Sequence, residues 1–327
     1  MATQPAGPSI ASAQAGLVKE GGALPGRKRR GSAKQRSETL AAYLFLTPYL
    51  FVLCLFFFFV SLYGIGLSFF RIDLGFGAAT FVGFKNYIQL FNQLANPGLS
   101  DFWTSMWNIL KFTVCVVIGQ TILALLLALL LQTIKTGKSA FRTMFYVPAV
   151  TSSVATSLIF LWLYNPNGLI NYVLSLAGIH GPDWLNNVFW ALPALMLLNI
   201  WSTAATFMIY FLAALQDLPT DVLEAAQVDG AGPWQSFSLI TVPLLRPTIF
   251  LVVALGTIGA FQMFDQAKFM TNGQPLNSTL TPMLEIYNEA FNNGGFGQAS
   301  AMSVILFLII FVITILQRRM IDPGAQR

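Results

Sequence analysis

Apolar positions along this chain gather into long unbroken runs, without the alternation of a half-exposed strand. Six runs are free of Asp, Glu, Lys and Arg: Leu40–Phe70, Phe112–Leu131, Met144–Tyr164, Val188–Leu215, Thr248–Phe264 and Ala299–Leu316. A helix needs ~20 mostly apolar residues to cross a hydrocarbon core of ~30 Å. Lipid offers no partner to an unpaired backbone amide, so continuous runs of this length predict helices, and a β-barrel would alternate instead. The first and fourth runs are longer than a crossing needs, which predicts tilt or an interfacial start. The fifth is short, but Leu244 and Leu245 extend it if Arg246 snorkels. The expected fold class is all-α: a polytopic membrane protein with six transmembrane helices.

Composition agrees. Charged residues make up 9% and hydrophobic residues 55% of the 327. A soluble domain carries roughly 25% charged residues, so an ordinary soluble enzyme is excluded. Basic residues orient the chain. With the N-terminus inside, segments 1–39, 132–143, 216–247 and 317–327 hold 7, 3, 1 and 3 of the 18 Lys and Arg, leaving Arg71, Lys85, Lys111 and Lys268 outside. The prediction is N-in and C-in, with Trp103, Trp107, Trp184 and Trp190 flanking outer ends as an aromatic belt. The expected organisation is a disordered basic cytoplasmic tail over 1–39, a transmembrane domain over 40–319 and a short tail over 320–327. Arg27-Lys28-Arg29-Arg30 in the first tail reads as a topology determinant compatible with anionic lipid, with no nucleic-acid partner. The apolar run starts too late for a cleaved signal peptide. Cys54 and Cys115 lie inside apolar runs and His180 is the single histidine. No disulfide framework, metal site or catalytic constellation is expected.

One inner loop stands out, from Gln216 to Arg246. Thr220 or Asp221 is placed to cap a short helix, with Glu224 at its third or fourth position. Gly230 and Gly232 break that helix, and Pro233 suits the first turn of a second one ending before Pro243. Asp221, Glu224 and Asp229 face the cytoplasm against the usual positive bias. On these residues alone, a protein-docking surface and an amphipathic connector on the membrane are both open.

The spacing in this loop resembles the EAA motif of permease subunits of binding-protein-dependent ABC importers. Glu224-Ala225-Ala226 is followed by three residues and Gly230, then nine residues, Ile240, one residue and Val242-Pro243, with Val242 where the motif prefers Leu. The surrounding chain is similar to the maltose, glycerol-3-phosphate and trehalose permease branch. Residues Arg142 to Pro148, Trp162 to Pro166, Phe261 to Asp265, Thr271-Asn272-Gly273-Gln274-Pro275 and Gln298 to Ser303 carry that likeness. The resemblance implies a type I ABC importer permease fold and a sugar substrate handed over by an extracytoplasmic binding protein. It also implies a second, different permease and two ATPase subunits, in a bacterial or archaeal cytoplasmic membrane. Asp221, Glu224, Ala225, Ala226, Asp229, Gly230, Ile240 and Pro243 would then form the ATPase-coupling site. ATP and Mg would sit on the partner subunits, since this chain has no P-loop and binds no cofactor itself.

For the substrate path, polar residues inside spans are the natural candidates. Asn199, Ser202, Thr203 and Thr206 recur at i, i+3, i+4 and i+7, on one helical face. Packing or backbone bonding is the other use of such hydroxyls. By the resemblance, those four occupy sugar-contact positions, where only Asn199 keeps the residue type. The matching positions on the fifth span are Gly256, Gly259, Ala260 and Met263, which implies a differently shaped pocket; Gln262 and Asp265 lie further out. An ion-driven secondary transporter is the alternative class. It would want ionisable residues inside the spans, which these runs lack. A membrane enzyme would want convergent acids or histidines.

Overall fold

The computed structural model describes residues 33–73, 78–95, 100–134 and 137–321. Residues 1–32 of the basic tail and 322–327 lie outside the described residues. The chain divides into two compact units, one running to Ser61 and one from Leu62 onward. In the first, helix α1 (Ala33–Val52) continues through a π turn at Leu53–Phe59. The helix starts ahead of Leu40, because Lys34, Gln35, Arg36 and Glu38 are also good helix formers. Its large apolar side chains, among them Phe45, Phe51 and Phe56, are exposed along its length.

Helix α2 (Val60–Leu67) leads into the second unit and ends short of the expected Phe70. Phe70 instead opens a hairpin in which β1 (Phe70–Asp73) pairs antiparallel with β2 (Ala78–Phe81), Phe70 opposite Phe81. Asn86 of α3 (Lys85–Asn92) donates to the Ser68 and Phe70 carbonyls at 2.8 and 3.1 Å, which ties the hairpin down.

Helix α4 (Asp101–Thr133) is the longest and overruns its apolar run at the first end. Trp103 donates from that extension to the Leu90 carbonyl at 2.7 Å. The third run departs most from expectation. Met144–Tyr164 is not one straight helix but α5 (Lys138–Val150) and α6 (Ser153–Leu163), bent by 94°. Pro148 has no N–H to extend the ladder. Ser152, at φ −54 and ψ 132, leaves the helical range and accepts through its carbonyl from the Thr156 N–H, starting a fresh helix. Helix α7 (Leu169–Leu176) and a loop closed on Asn171 follow. Trp184 donates to Asn171 Oδ1 at 2.7 Å and is buried, so it is a core residue and not part of an exposed belt.

Helix α8 (Ala191–Gln216) matches the fourth run closely. Four segments follow: α9 (Thr220–Val228), α10 (Pro233–Ser236), a π turn at Phe237–Thr241 and α11 (Val242–Leu244). The chain bends by 65° at Leu245 into α12 (Arg246–Phe261), which stops before the expected Phe264. After α13 (Pro282–Tyr287), α14 (Phe296–Ile321) completes the fold. Among the described residues, four single helices are long and apolar enough to cross a membrane, and up to six spans result if each bent pair counts as one.

The core of this unit is built on α4 and α8. Ala124, Ala128 and Ala204 are buried where the helices meet, and such small side chains let backbones approach closely. Phe207, Met208 and Phe211 fill the same layer, with Val252 from α12. A second layer joins Ile109, Phe112 and Val116 to Leu195, Leu198, Phe261 and Leu284. These packed layers hold the polar face of α8 and the loop after it.

Candidate functional site: an exposed helical loop and an intramembrane polar face

The loop after α8 is a helix pair with its own stop signal. Thr220 is already helical and Pro219 occupies the cap position with no side-chain cap bond, so neither Thr220 nor Asp221 caps the helix. Proline's fixed φ suits that boundary. Glu224 is accordingly the fifth helical residue, not the third or fourth. The helix ends in a Schellman turn. Gly230 N–H bonds to the Gln227 carbonyl at 3.1 Å and Ala231 N–H to the Ala226 carbonyl at 2.9 Å. Gly230 has φ +82, which only glycine adopts at little cost, and a Cβ there would meet nothing within 4 Å. Gln235 Oε1 then accepts from Gly232 N–H at 3.0 Å and starts the second helix.

That second helix does not stop before Pro243. It runs through it to Leu244, because the π turn at Phe237–Thr241 changes the bonding ladder just ahead of the proline. Ile240 and Pro243 are half-buried, whereas Asp221, Glu224, Ala225, Asp229 and Gly230 are exposed and Ala226 is buried. Asp221, Glu224, Ala225 and Val228 share one open face, i to i+7. Val228 is 88% exposed, Trp234 75% and Leu239 72%. These large apolar side chains in an open loop, beside two acids, have the make-up of a docking surface. Sequence reasoning gave Val228, Trp234 and Leu239 no role, because helical spacing alone does not say which apolar side chains stay uncovered.

The four polar residues of α8 are half-buried. Asn199 Nδ2 donates to Gln266 Oε1 at 3.1 Å. Thr203 Oγ1 lies 2.7 Å from both Gln120 Oε1 and the Asn199 carbonyl, and its single proton serves one of them at a time. Ser202 bonds the Asn199 carbonyl at 3.1 Å. The hydroxyls of Ser202 and Thr203 are thus used inside the fold in this state. Thr206 sits one turn further on. Asn199 is joined to Gln266, with Gln262 exposed and Asp265 half-buried on the same segment.

Gln120 and Gln266 were missed. Gln120 was visible as a lone amide within an apolar run, the kind of intramembrane polar residue that marks a function. It is 1% exposed, its Nε2 has no partner among the described residues, and a Cβ on Gly256 would collide with it. Gly256 is therefore glycine to admit the Gln120 amide. Thr257 and Gln317 add a bond between α12 and α14 at 2.8 Å. Among the described residues, no group of three or more His, Cys, Asp or Glu is placed to hold a metal ion.

Comparison with known proteins resolves what this arrangement belongs to. Residues 120–326 match the family model for the binding-protein-dependent transport system inner membrane component. The chain is 33% identical to the lactose transport system permease protein LacF of Rhizobium radiobacter, over 88% of this chain and 95% of that one. It is also 33% identical to the sulfoquinovosyl glycerol transport system permease protein SmoG of Agrobacterium fabrum, over 87% and 91% of the two chains. A chain in the crystal structure of a bacterial ABC transporter that imports the acidic polysaccharide alginate shares the fold. Its TM-score is 0.76 at 22% identity, over 89% of this chain and 98% of that one. The chain belongs to the inner membrane components of binding-protein-dependent transport systems, as a permease subunit of an ABC importer and not an enzyme.

Proposed function

We propose that this chain forms half of the path for a saccharide across a bacterial or archaeal cytoplasmic membrane. A second, different permease supplies the other half, and two ATPase subunits dock on the cytoplasmic loop 216–246. The observation that carries the docking role is the open face of α9, where Asp221, Glu224, Ala225 and Val228 are presented together beside exposed Trp234. Carboxylates there meet cationic donors on the ATPase in charge-assisted bonds, and the apolar side chains enter its cleft. The Schellman turn at Gly230 fixes the angle between the two short helices, so displacement of the ATPase passes into α8 and α12 without being lost in a flexible link. ATP and Mg bind the partner subunits and no cofactor binds this chain. ATP on one side and loaded binding protein on the other bias one two-state bundle.

Saccharide specificity is proposed for Asn199, Thr206, Gln262 and Asp265. Ser202 and Thr203 join them when the bundle rearranges and frees their hydroxyls. The names of the relatives support a carbohydrate, neutral in the lactose system and acidic in the alginate importer. The test is ATP hydrolysis by the reconstituted complex with its binding protein, across a panel of neutral and acidic oligosaccharides. Stimulation by at least one saccharide is expected, and stimulation by none contradicts the reading.

A further inference from the structure

On the orientation proposed above, a second polar feature faces outside, away from the α8 face. A cleft of about 320 Å³ lies between the start of α4, the segment after α12 and the helix around α13. Six amides line it: Asn272, Gln274, Asn277, Asn288, Asn292 and Asn293. Two carboxylates, Asp101 and Glu285, complete the polar wall, and Leu280 is its one apolar lining residue.

The lining selects a ligand class by elimination. With a single apolar residue it offers nothing to an acyl chain or an apolar helix face. Two carboxylates and no lining Lys, Arg or His disfavour an anion. Among the described residues no acidic or histidine trio is set for a cation. What remains is a neutral molecule dense in groups that both donate and accept, and amides are matched to such groups because they do the same. Hydrogen-bonding capacity is left over. Asn277 spends one N–H on Asp101 Oδ1 at 2.8 Å and Asn292 one on Asn288 Oδ1 at 3.0 Å, while each amide has two. The backbone is also held in an uncommon form here. Asn272, Leu276 and Asn277 have φ of 49, 50 and 57, and they are the non-glycine residues with positive φ among those described. Asn108 Nδ2 pins that segment through the Asn277 carbonyl at 2.7 Å.

We propose that this cleft is an outer receiving site for a neutral saccharide, whose hydroxyls bond to Asn272, Asn288 and Asn292 before the intramembrane path. The proposal rests on the saccharide reading above and names where the sugar first meets this chain. Glu285 supports it: burial, then the neighbouring Asp101 and Glu289 charges, push its carboxyl up to about 7. It therefore both donates and accepts near neutrality.

The test uses the assembled importer in nanodiscs without binding protein, with maltotriose and lactose as probes, read by saturation-transfer NMR. Wild type is compared with Asn288→Ala/Asn292→Ala, one half-buried and one exposed position of the cleft wall, and with Asn199→Ala. The expected result is saccharide signal in wild type that falls roughly thirtyfold in the double variant, the weight of about two hydrogen bonds, and by less in Asn199→Ala, where the cleft is intact. Unchanged signal in the double variant, or no signal from either probe, overturns the cleft. Signal lost only in Asn199→Ala keeps the saccharide reading and overturns the cleft alone. Docking of sugar-free binding protein is measured in parallel. If the double variant weakens that docking and leaves the saccharide signal intact, the cleft belongs to the binding protein and the proposal fails. Hydrolysis that no saccharide stimulates, with the cleft signal intact, puts the fault in the transport reading instead.

Discussion

Single residues carry two separable tasks. Asn199 bonds Gln266 across the bundle, and on the proposed reading the remaining half of its amide serves the path. Asn199→Ala should lower saccharide-stimulated transport by roughly the weight of one hydrogen bond, about 1 kcal/mol, with assembly intact. A full substrate titration that superimposes on wild type removes Asn199 from the path. Glu285 makes a pH prediction. Its carboxyl titrates near 7 in the fold against an ordinary value of 4.5, so the folded state favours the protonated form. The stability this brings is complete below about 4.5 and is lost as pH rises through about 7. Glu285→Gln should therefore flatten the pH dependence of the thermal midpoint across that window and raise the midpoint above wild type at pH 8. A wild-type midpoint that does not fall across the window would show that Glu285 titrates normally.

At the scale of elements, α4, α8 and α12 meet at the Gln120 amide. Gly256→Ala places a methyl where Gln120 Nε2 lies, and overpacking of this kind costs about 1–3 kcal/mol. Gln120→Ala removes the obstacle. The double variant should be less destabilised than the sum of the two singles in a thermal-unfolding cycle, and strict additivity would mean the two sites do not touch.

This contact also marks what the sequence reveals and what it hides. The spans of α8 and α14 are legible because unbroken apolar runs of that length have few other solutions, and the turn at Gly230 is legible because helix stop chemistry is local. The bend between α5 and α6 is harder to read. Pro148 signals a kink, but its 94° depends on how each half packs. The partners of Asn199 and Thr203 are 67 and 83 residues away in sequence, so helical spacing shows the face and not what it meets. Trp184 likewise reads as a membrane-interface residue until Asn171 is seen to take its N–H.

For the whole molecule, transport by the proposed route needs one orientation and one point of force entry. A cysteine at Ser236 should label only from the cytoplasmic side and one at Asn293 only from outside, given the placement of 14 of the 18 basic residues. Labelling of both from one face would break the topology. The sharpest test of ATPase docking lies in the coupling loop. Gly230→Val forces a β-branched residue into φ +82, a backbone cost of about 1–3 kcal/mol, since among the described residues nothing beyond its chain neighbours lies within 4 Å of an added Cβ. Glu224→Lys inverts an exposed charge on the open face of α9. Both variants lie outside the spans and should insert and pair normally. The decisive measurement is transport together with ATPase retention by the purified complex carrying each change. Complexes that lose the ATPase, or hydrolyse ATP without moving saccharide, are the result expected from docking through this loop. Normal transport with the ATPase bound in both variants would contradict it.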